Sequence, residues 1–256
     1  MNAHVPEWVI VHVPHDSRRV PPHVRDQFVL DDLQLEAELD AMTDHHIADI
    51  FSELVPTDRT IRADVSRLVV DVERFVDDAH EPMAARGMGV IYTHTSCGTA
   101  LRRSVTAADR SQLVDAHYRP HHARLEAAVE HTLTVHDRCL ILDCHSFPGT
   151  PLPYESIQEV PRPDICIGTD PFHTPEHLRD AFAAAFGLAG YVVAIDTPFA
   201  GTLVPMKHWQ SEPRVHSIMI EINRGLYVEG ATANRGPRFE SVKISVVIAC
   251  IRALTT

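Results

Sequence analysis

The stretch Cys139-Leu140-Ile141-Leu142-Asp143-Cys144 decides the fold of this 256-residue chain. It is an uninterrupted apolar run that ends in polar residues, which is typical of a central strand covered by helices on both faces. Other short apolar runs predict strands at 8–13, 68–72, 89–92, 191–195 and 217–222. Apolar residues at helical spacing predict helices over 33–54, 114–133, 174–186 and 240–254.

Strands that alternate with helices indicate an α/β fold with a central mixed, largely parallel sheet flanked by helices. No linker divides the sequence, so we expect a single domain over residues 1–256. Pro120 is expected to kink the second helix or to split off its first segment. In such sheets ligands bind beyond the carboxyl ends of the strands, and functional side chains are expected there.

Composition excludes several classes of function. The formal net charge is −12 and no Lys/Arg-rich run is present, which argues against a nucleic-acid partner. No window approaches the ~18 apolar residues of a membrane span, and the N-terminus lacks a signal-peptide pattern, so a cytoplasmic protein is expected. Five cysteines without CxxC spacing argue against a thiolate zinc site. The sequence leaves the oligomeric state open.

Histidine is enriched, with 18 residues, and two histidines occupy similar positions. His15 and His145 each follow a predicted buried strand, so their imidazoles are expected to converge at one edge of the sheet. Catalytic zinc typically has three protein ligands and one open position. Asp44 lies at the margin of the apolar face of its predicted helix, where an unpaired carboxylate is costly unless a metal, an arginine or solvent compensates it.

Three charged residues complete the candidate site. Glu221 lies in the apolar run 218–222, where burial should raise its pKa toward that of a general base, although a partner such as Arg224 is an alternative. Arg67 and Arg74 flank the predicted strand at 68–72. Guanidinium groups bind carboxylates bidentately and can stabilise an oxyanion, whereas two such arginines alone are usually surface residues.

These segments together resemble the N-formylglutamate amidohydrolase family, which is related to zinc carboxypeptidases and aspartoacylases. The matching stretches run in family order over residues 9–227: Pro14-His15-Asp16-Ser17, Thr43-Asp44, Ser66-Arg67 to Asp71 and Arg74, Asp143-Cys144-His145-Ser146, Pro198-Phe199-Ala200-Gly201 and Ile220-Glu221-Ile222-Asn223-Arg224. Two segments depart from the family pattern. Asp71-Val72-Glu73-Arg74 replaces the usual Asp-Leu-Asn-Arg, and Asp44 is followed by two histidines rather than an aromatic residue.

The resemblance implies a zinc-carboxypeptidase-like fold and hydrolysis of a small N-acyl amino acid, most simply N-formyl-L-glutamate to formate and glutamate. It implies that His15, Asp44 and His145 hold Zn²⁺ and that Glu221 activates water. It further implies substrate contacts from Arg67, which would also steady the oxyanion, and from Arg74 and Asn223.

The sequence is also compatible with two other functions. One is a thiol hydrolase that uses Cys144 beside His145, or Cys97 in the turn 95–98. Adjacent residues of a strand point to opposite faces, which argues against a Cys144–His145 pair. The other is a non-catalytic module that binds a metal or an amino acid.

Overall fold

The computed structural model describes residues 5–230 and 233–255. Within these ranges six strands form one sheet: β1 (Val9–Val13), β2 (Thr60–Arg62), β3 (Cys139–Phe147), β4 (Ile165–Gly168), β5 (Val193–Ile195) and β6 (Val215–Asn223). The strand order is β2-β1-β3-β6-β4-β5, and all neighbours are parallel except β4 and β6. The predicted mixed, largely parallel sheet is confirmed.

Strand β3 lies inside the sheet and is buried along its whole length, as the apolar run 139–144 predicts. Strands β1, β2, β3 and β6 run in the same direction, so their carboxyl ends meet at one edge. The register places His12 of β1 beside Asp143 of β3, and His145 of β3 beside Glu221 of β6. This register brings four polar side chains to neighbouring positions on one face of the sheet.

The helices in the described ranges are α1 (Pro22–Arg25), α2 (Asp32–Met42), α3 (Ile47–Ile50), α4 (Ala107–Leu113), α5 (Arg119–His136), α6 (Glu176–Leu188) and α7 (Phe239–Thr255). Four of them, α3, α5, α6 and α7, pack against the sheet. Apolar residues of α3, α6 and α7 pack against one set of strand residues, and Leu125 and Val129 of α5 pack against another. None of the helices in the described ranges is long and apolar enough to cross a membrane.

The single helix predicted over 33–54 is wrong, because α2 ends at Met42 and α3 begins only at Ile47. Thr43 is extended, and His46 adopts a left-handed conformation with φ 62°. The backbone N–H of Asp44 donates to the carbonyl of His15 instead of continuing the helix, at 3.0 Å. The break therefore turns Asp44 toward the end of β1.

The strands predicted at 68–72 and 89–92 are also wrong. Both segments are buried turns in an apolar cluster with α2, and the backbone N–H of Asp71 donates to the carbonyl of Val90 at 2.9 Å. Their apolar residues are buried because they pack in that cluster, not because they belong to strands of the sheet. The split expected at Pro120 is confirmed, since a π-helical turn, Val114–Tyr118, precedes α5.

Candidate active site

The structure brings His15, Asp44 and His145 together at the carboxyl edge of the sheet. His15 follows β1, Asp44 lies in the turn after α2, and His145 lies within β3 rather than beyond its end. The Nδ1 atoms of the two histidines are 3.3 Å apart, and Asp44 Oδ2 lies 3.2 Å from Nδ1 of His145 and 3.8 Å from Nδ1 of His15. Tetrahedral zinc with ligands at about 2.0–2.2 Å requires donor atoms roughly 3.3 Å apart, so these three atoms fit such an ion.

The other nitrogen of each ring is held by a buried carboxylate. His15 Nε2 donates to Asp71 Oδ1 at 2.8 Å, and His145 Nε2 donates to Asp143 Oδ1 at 3.1 Å. Protein ligands of zinc are commonly oriented this way, because the second hydrogen bond fixes the ring and leaves the opposite lone pair for the metal. Two Nδ1 atoms facing each other at 3.3 Å need a shared proton or a cation between them.

The surroundings of the triad disfavour a positive charge on His15, favour a negative charge on Asp44 and favour a positive charge on His145. Burial, together with the nearby Arg67 guanidinium, lowers the pKa of His15. Burial would raise the pKa of Asp44, but a hydrogen bond from His145 and the charges of the two histidines lower it to about 2. Burial would likewise lower the pKa of His145, but the carboxylates of Glu73 and Asp143 outweigh burial and raise it well above its usual value. A protonated imidazole or a bound cation supplies that charge.

Glu221 stands beside His145 on β6, and its side chain is buried. Burial raises the pKa of its carboxyl to about 8. Its Oε2 atom is buried and has no hydrogen-bond partner among the residues that the structure describes. The alternative partner, Arg224, instead donates to the carbonyl oxygens of residues 40, 41 and 43 at 3.3, 3.0 and 2.8 Å. Glu221 is therefore free to act on a ligand.

The triad and Glu221 line one cavity of about 250 Å³. Arg67 and Arg74 line the same cavity. Two loops also line it: Tyr154, Glu155 and Ser156 belong to one, and Pro198, Phe199 and Ala200 belong to the other. The cavity suits a small ligand with its reacting group between the triad and Glu221.

The two arginines differ in how they are held. Arg67 donates from Nη2 to Asp71 Oδ2 at 3.0 Å and from Nε to the hydroxyl of Tyr92 at 3.1 Å. Arg74 Nε lies 3.6 Å from Asp71 Oδ2 and is buried without a hydrogen-bond partner in the described part of the chain. Arg67 is therefore a fixed cation, whereas the guanidinium of Arg74 is available to bind an anion.

The sequence model of the N-formylglutamate amidohydrolase family matches residues 8–228. The chain belongs to this family. Its fold is similar to the crystal structure of an N-formylglutamate amidohydrolase from Ralstonia eutropha JMP134, with a TM-score of 0.83 and 24% identity over 98% of this chain and 95% of that one. It is also similar to the crystal structure of a gene product from Agrobacterium tumefaciens, with a TM-score of 0.70 and 18% identity over 100% and 93% of the two chains. No curated protein matches the chain.

Two expectations for this member of the N-formylglutamate amidohydrolase family find no support in the site. Asn223 does not line the cavity, because its side chain donates to the Pro163 carbonyl and accepts from Gly225 N–H, both at 3.0 Å. Cys144 packs in the apolar core, where burial raises the pKa of its thiol well above the usual value. Cys97 lines a separate surface pocket. The arrangement therefore gives neither thiol a role at the site.

Sequence reasoning missed the residues that hold the site in place: Asp71, Tyr92, His12 and Asp143. Asp143 precedes His145 by two positions on a strand and therefore shares its face, a signal that the sequence contains. Asp71 and Tyr92 lie in segments predicted as strands, and their contacts with His15 and Arg67 depend on how distant turns pack. Contacts between residues so far apart in the chain produce no pattern in the local sequence.

Glu73 was also missed, and it belongs to two further groups of possible metal ligands. His15, Glu73 and His145, and likewise His12, Glu73 and Asp143, have donor atoms within 4.8 Å of one another. Glu73 Oε2 lies 3.2 Å from His145 Nε2, which is the side of the ring opposite to Asp44. The ring of His145 thus separates two places where a cation could bind.

Proposed function

We propose that this chain hydrolyses the amide bond of N-formyl-L-glutamate, or of a similarly small N-acyl amino acid, with a zinc ion held by His15, Asp44 and His145. The observation that carries the proposal is the triangle of their donor atoms, with sides of 3.2–3.8 Å, beside Glu221 in one cavity. Membership of the N-formylglutamate amidohydrolase family supports amide hydrolysis.

Zinc at these ligands would supply a Lewis acid for the scissile carbonyl and would lower the pKa of water. Glu221 accepts the proton of the attacking water and delivers it to the leaving amine. Burial raises its pKa to about 8, so its carboxylate is a stronger base when ionised than an exposed glutamate. Arg67 donates to the oxygen on which negative charge develops. Asp71 holds the side chains of Arg67 and His15 in position, because it accepts a hydrogen bond from each of them.

Arg74 recognises the substrate. It lines the cavity, and its buried Nε has no hydrogen-bond partner in the described ranges. A planar guanidinium binds a carboxylate through two parallel hydrogen bonds. Arg74 therefore anchors a carboxylate of the substrate, and the N-acyl group lies between Glu221 and the metal ligands.

The experiment measures glutamate released from N-formyl-L-glutamate by zinc-loaded protein. Glu221→Gln should lower kcat by ~10²-fold or more, because the amide keeps the shape of the side chain but cannot accept the proton. Zinc affinity should change little. Glu176→Gln, at an exposed position on α6, is the matched control and should retain full activity.

Near-normal turnover of Glu221→Gln would exclude Glu221 as the base. If the wild-type protein binds N-formyl-L-glutamate without releasing glutamate, the chain is a non-catalytic amino-acid-binding module and the proposed function is wrong.

A further inference from the structure

A second cavity, which we call the annex, adjoins the candidate active site. Its volume is about 390 Å³, larger than the cavity that contains Glu221. The two cavities share five lining residues: Glu73, Arg74, Met83, Ala200 and Met219. A ligand bound at Arg74 can therefore extend into either space.

The wall of the annex is largely apolar. It includes Phe75, Tyr118, Leu203, Val204 and Trp209. The rings of Phe75 and Trp209 meet edge to face with centroids 6.1 Å apart, and each residue is 36% exposed. Aromatic surface that borders a cavity and stays open to solvent is suited to covering an apolar ligand group.

The charged groups of the annex disfavour a second carboxylate. Glu73, Glu81 and Asp143 all line it. The carboxylate of Glu81 accepts backbone hydrogen bonds from Phe75 and Met83, which keep it in place. His122 donates to the Val72 carbonyl at 2.7 Å, and burial lowers the pKa of its ring to about 4, so it adds no positive charge near neutral pH. A glutamate side chain directed into the annex would face these acidic groups.

We propose that the annex receives an apolar side chain of the substrate amino acid, while Arg74 binds the α-carboxylate. The inference rests on the proposed function and extends it, since N-formyl derivatives of apolar amino acids then become substrates alongside N-formyl-L-glutamate. The α-carbon lies next to the carboxylate, so its substituent enters the annex when the acyl group points toward Glu221.

The test compares N-formyl-L-norleucine with N-formyl-L-glutamate, whose unbranched side chains are of similar length. For the wild-type protein, we expect kcat/KM for the norleucine derivative to equal or exceed that for the glutamate derivative, because acidic groups line the annex. Trp209→Ala should lower the ratio of the two kcat/KM values about tenfold, because the norleucine side chain loses apolar contact. Phe75→Leu should lower the same ratio in a more conservative variant.

Trp8→Ala is the matched control, since Trp8 lies before β1, away from the carboxyl edge, and contacts Arg138. The ratio should not change in this variant. A wild-type ratio below one, or a ratio that Trp209→Ala leaves unchanged, would overturn the proposal even if N-formyl-L-glutamate is a good substrate.

A binding measurement tests the annex independently of the proposed hydrolysis. Trp8 and Trp209 are the two tryptophans of the sequence, so Trp209 is the only one in a Trp8→Phe variant. N-formyl-L-norleucine added to the Trp8→Phe, Glu221→Gln double variant should change the emission of Trp209 saturably. Absence of a change would overturn the annex as a side-chain site. If the wild type hydrolyses neither compound, the proposed function fails. The emission titration then still shows whether the annex binds the norleucine side chain.

Discussion

At the scale of single residues, Asp71 explains why two arginines only seven positions apart have different roles. Its carboxylate accepts hydrogen bonds from His15, Arg67, Tyr92 and the backbone of Glu73. Arg67 uses Nε and Nη2 in hydrogen bonds to Tyr92 and Asp71, and only its Nη1 has no hydrogen-bond partner in the described ranges. Arg74 approaches Asp71 only to 3.6 Å and remains available to a ligand.

Arg74→Lys should therefore weaken substrate binding although the charge is retained, because an ammonium group cannot form the two-bond fork. The expected loss in kcat/KM is roughly 10- to 150-fold, from the ~1.5–3 kcal/mol of a charge-assisted hydrogen bond. The measurement compares N-formyl-L-glutamate with its α-carboxamide in wild type and variant. Arg103→Lys, at an exposed position, is the control. Equal hydrolysis of both compounds by the wild type would show that Arg74 anchors no carboxylate.

At the scale of elements, the turn between α2 and α3 places Asp44. Arg224 donates to the carbonyl of Thr43, and the hydroxyl of Tyr227 donates to the carbonyl of His45 at 2.9 Å. Both partners follow the turn by more than 180 positions in sequence. Helical periodicity on each side of the turn predicts one continuous helix, since a break that distant residues impose leaves no trace in local spacing.

Tyr227→Phe should lower the free energy of unfolding by about 1 kcal/mol, because the substitution removes a buried hydrogen bond and leaves the carbonyl of His45 without its donor. Urea denaturation is the measurement, and an unchanged m-value would show that the same surface is exposed on unfolding. A free energy of unfolding equal to that of the wild type would mean that the hydroxyl does not hold this turn.

At the scale of the whole molecule, helices α3, α6 and α7 pack against one set of strand residues and α5 against another. The long apolar runs at β1, β3 and β6 were predictable because a strand buried on both faces needs no alternation. Strands β2 and β4 were not predicted, because Thr60-Ile61-Arg62 contains one apolar residue and Ile165-Cys166-Ile167 only three, whereas the five-residue run at 191–195 predicted β5. His15 and His145 were predictable from their positions near strand ends, whereas Asp71 and Glu73 depend on the packing of turns.

We further propose that residues 1–256 form a single domain. Two of the apolar clusters in the described ranges combine residues from both halves of the chain, so the halves should not unfold separately. Thermal unfolding followed by near-ultraviolet and far-ultraviolet circular dichroism should give one coincident transition. Two separated transitions would contradict a single domain.

We propose above all that a cation binds on the Nδ1 side of His145, between His15 and Asp44 and beside Glu221. The most direct test is a crystal of the zinc-soaked protein with diffraction recorded on both sides of the zinc absorption edge. We expect one anomalous peak about 2.0–2.2 Å from His15 Nδ1, His145 Nδ1 and Asp44 Oδ2. A peak instead among His12, Glu73 and Asp143, on the Nε2 side of the same ring, would contradict the account.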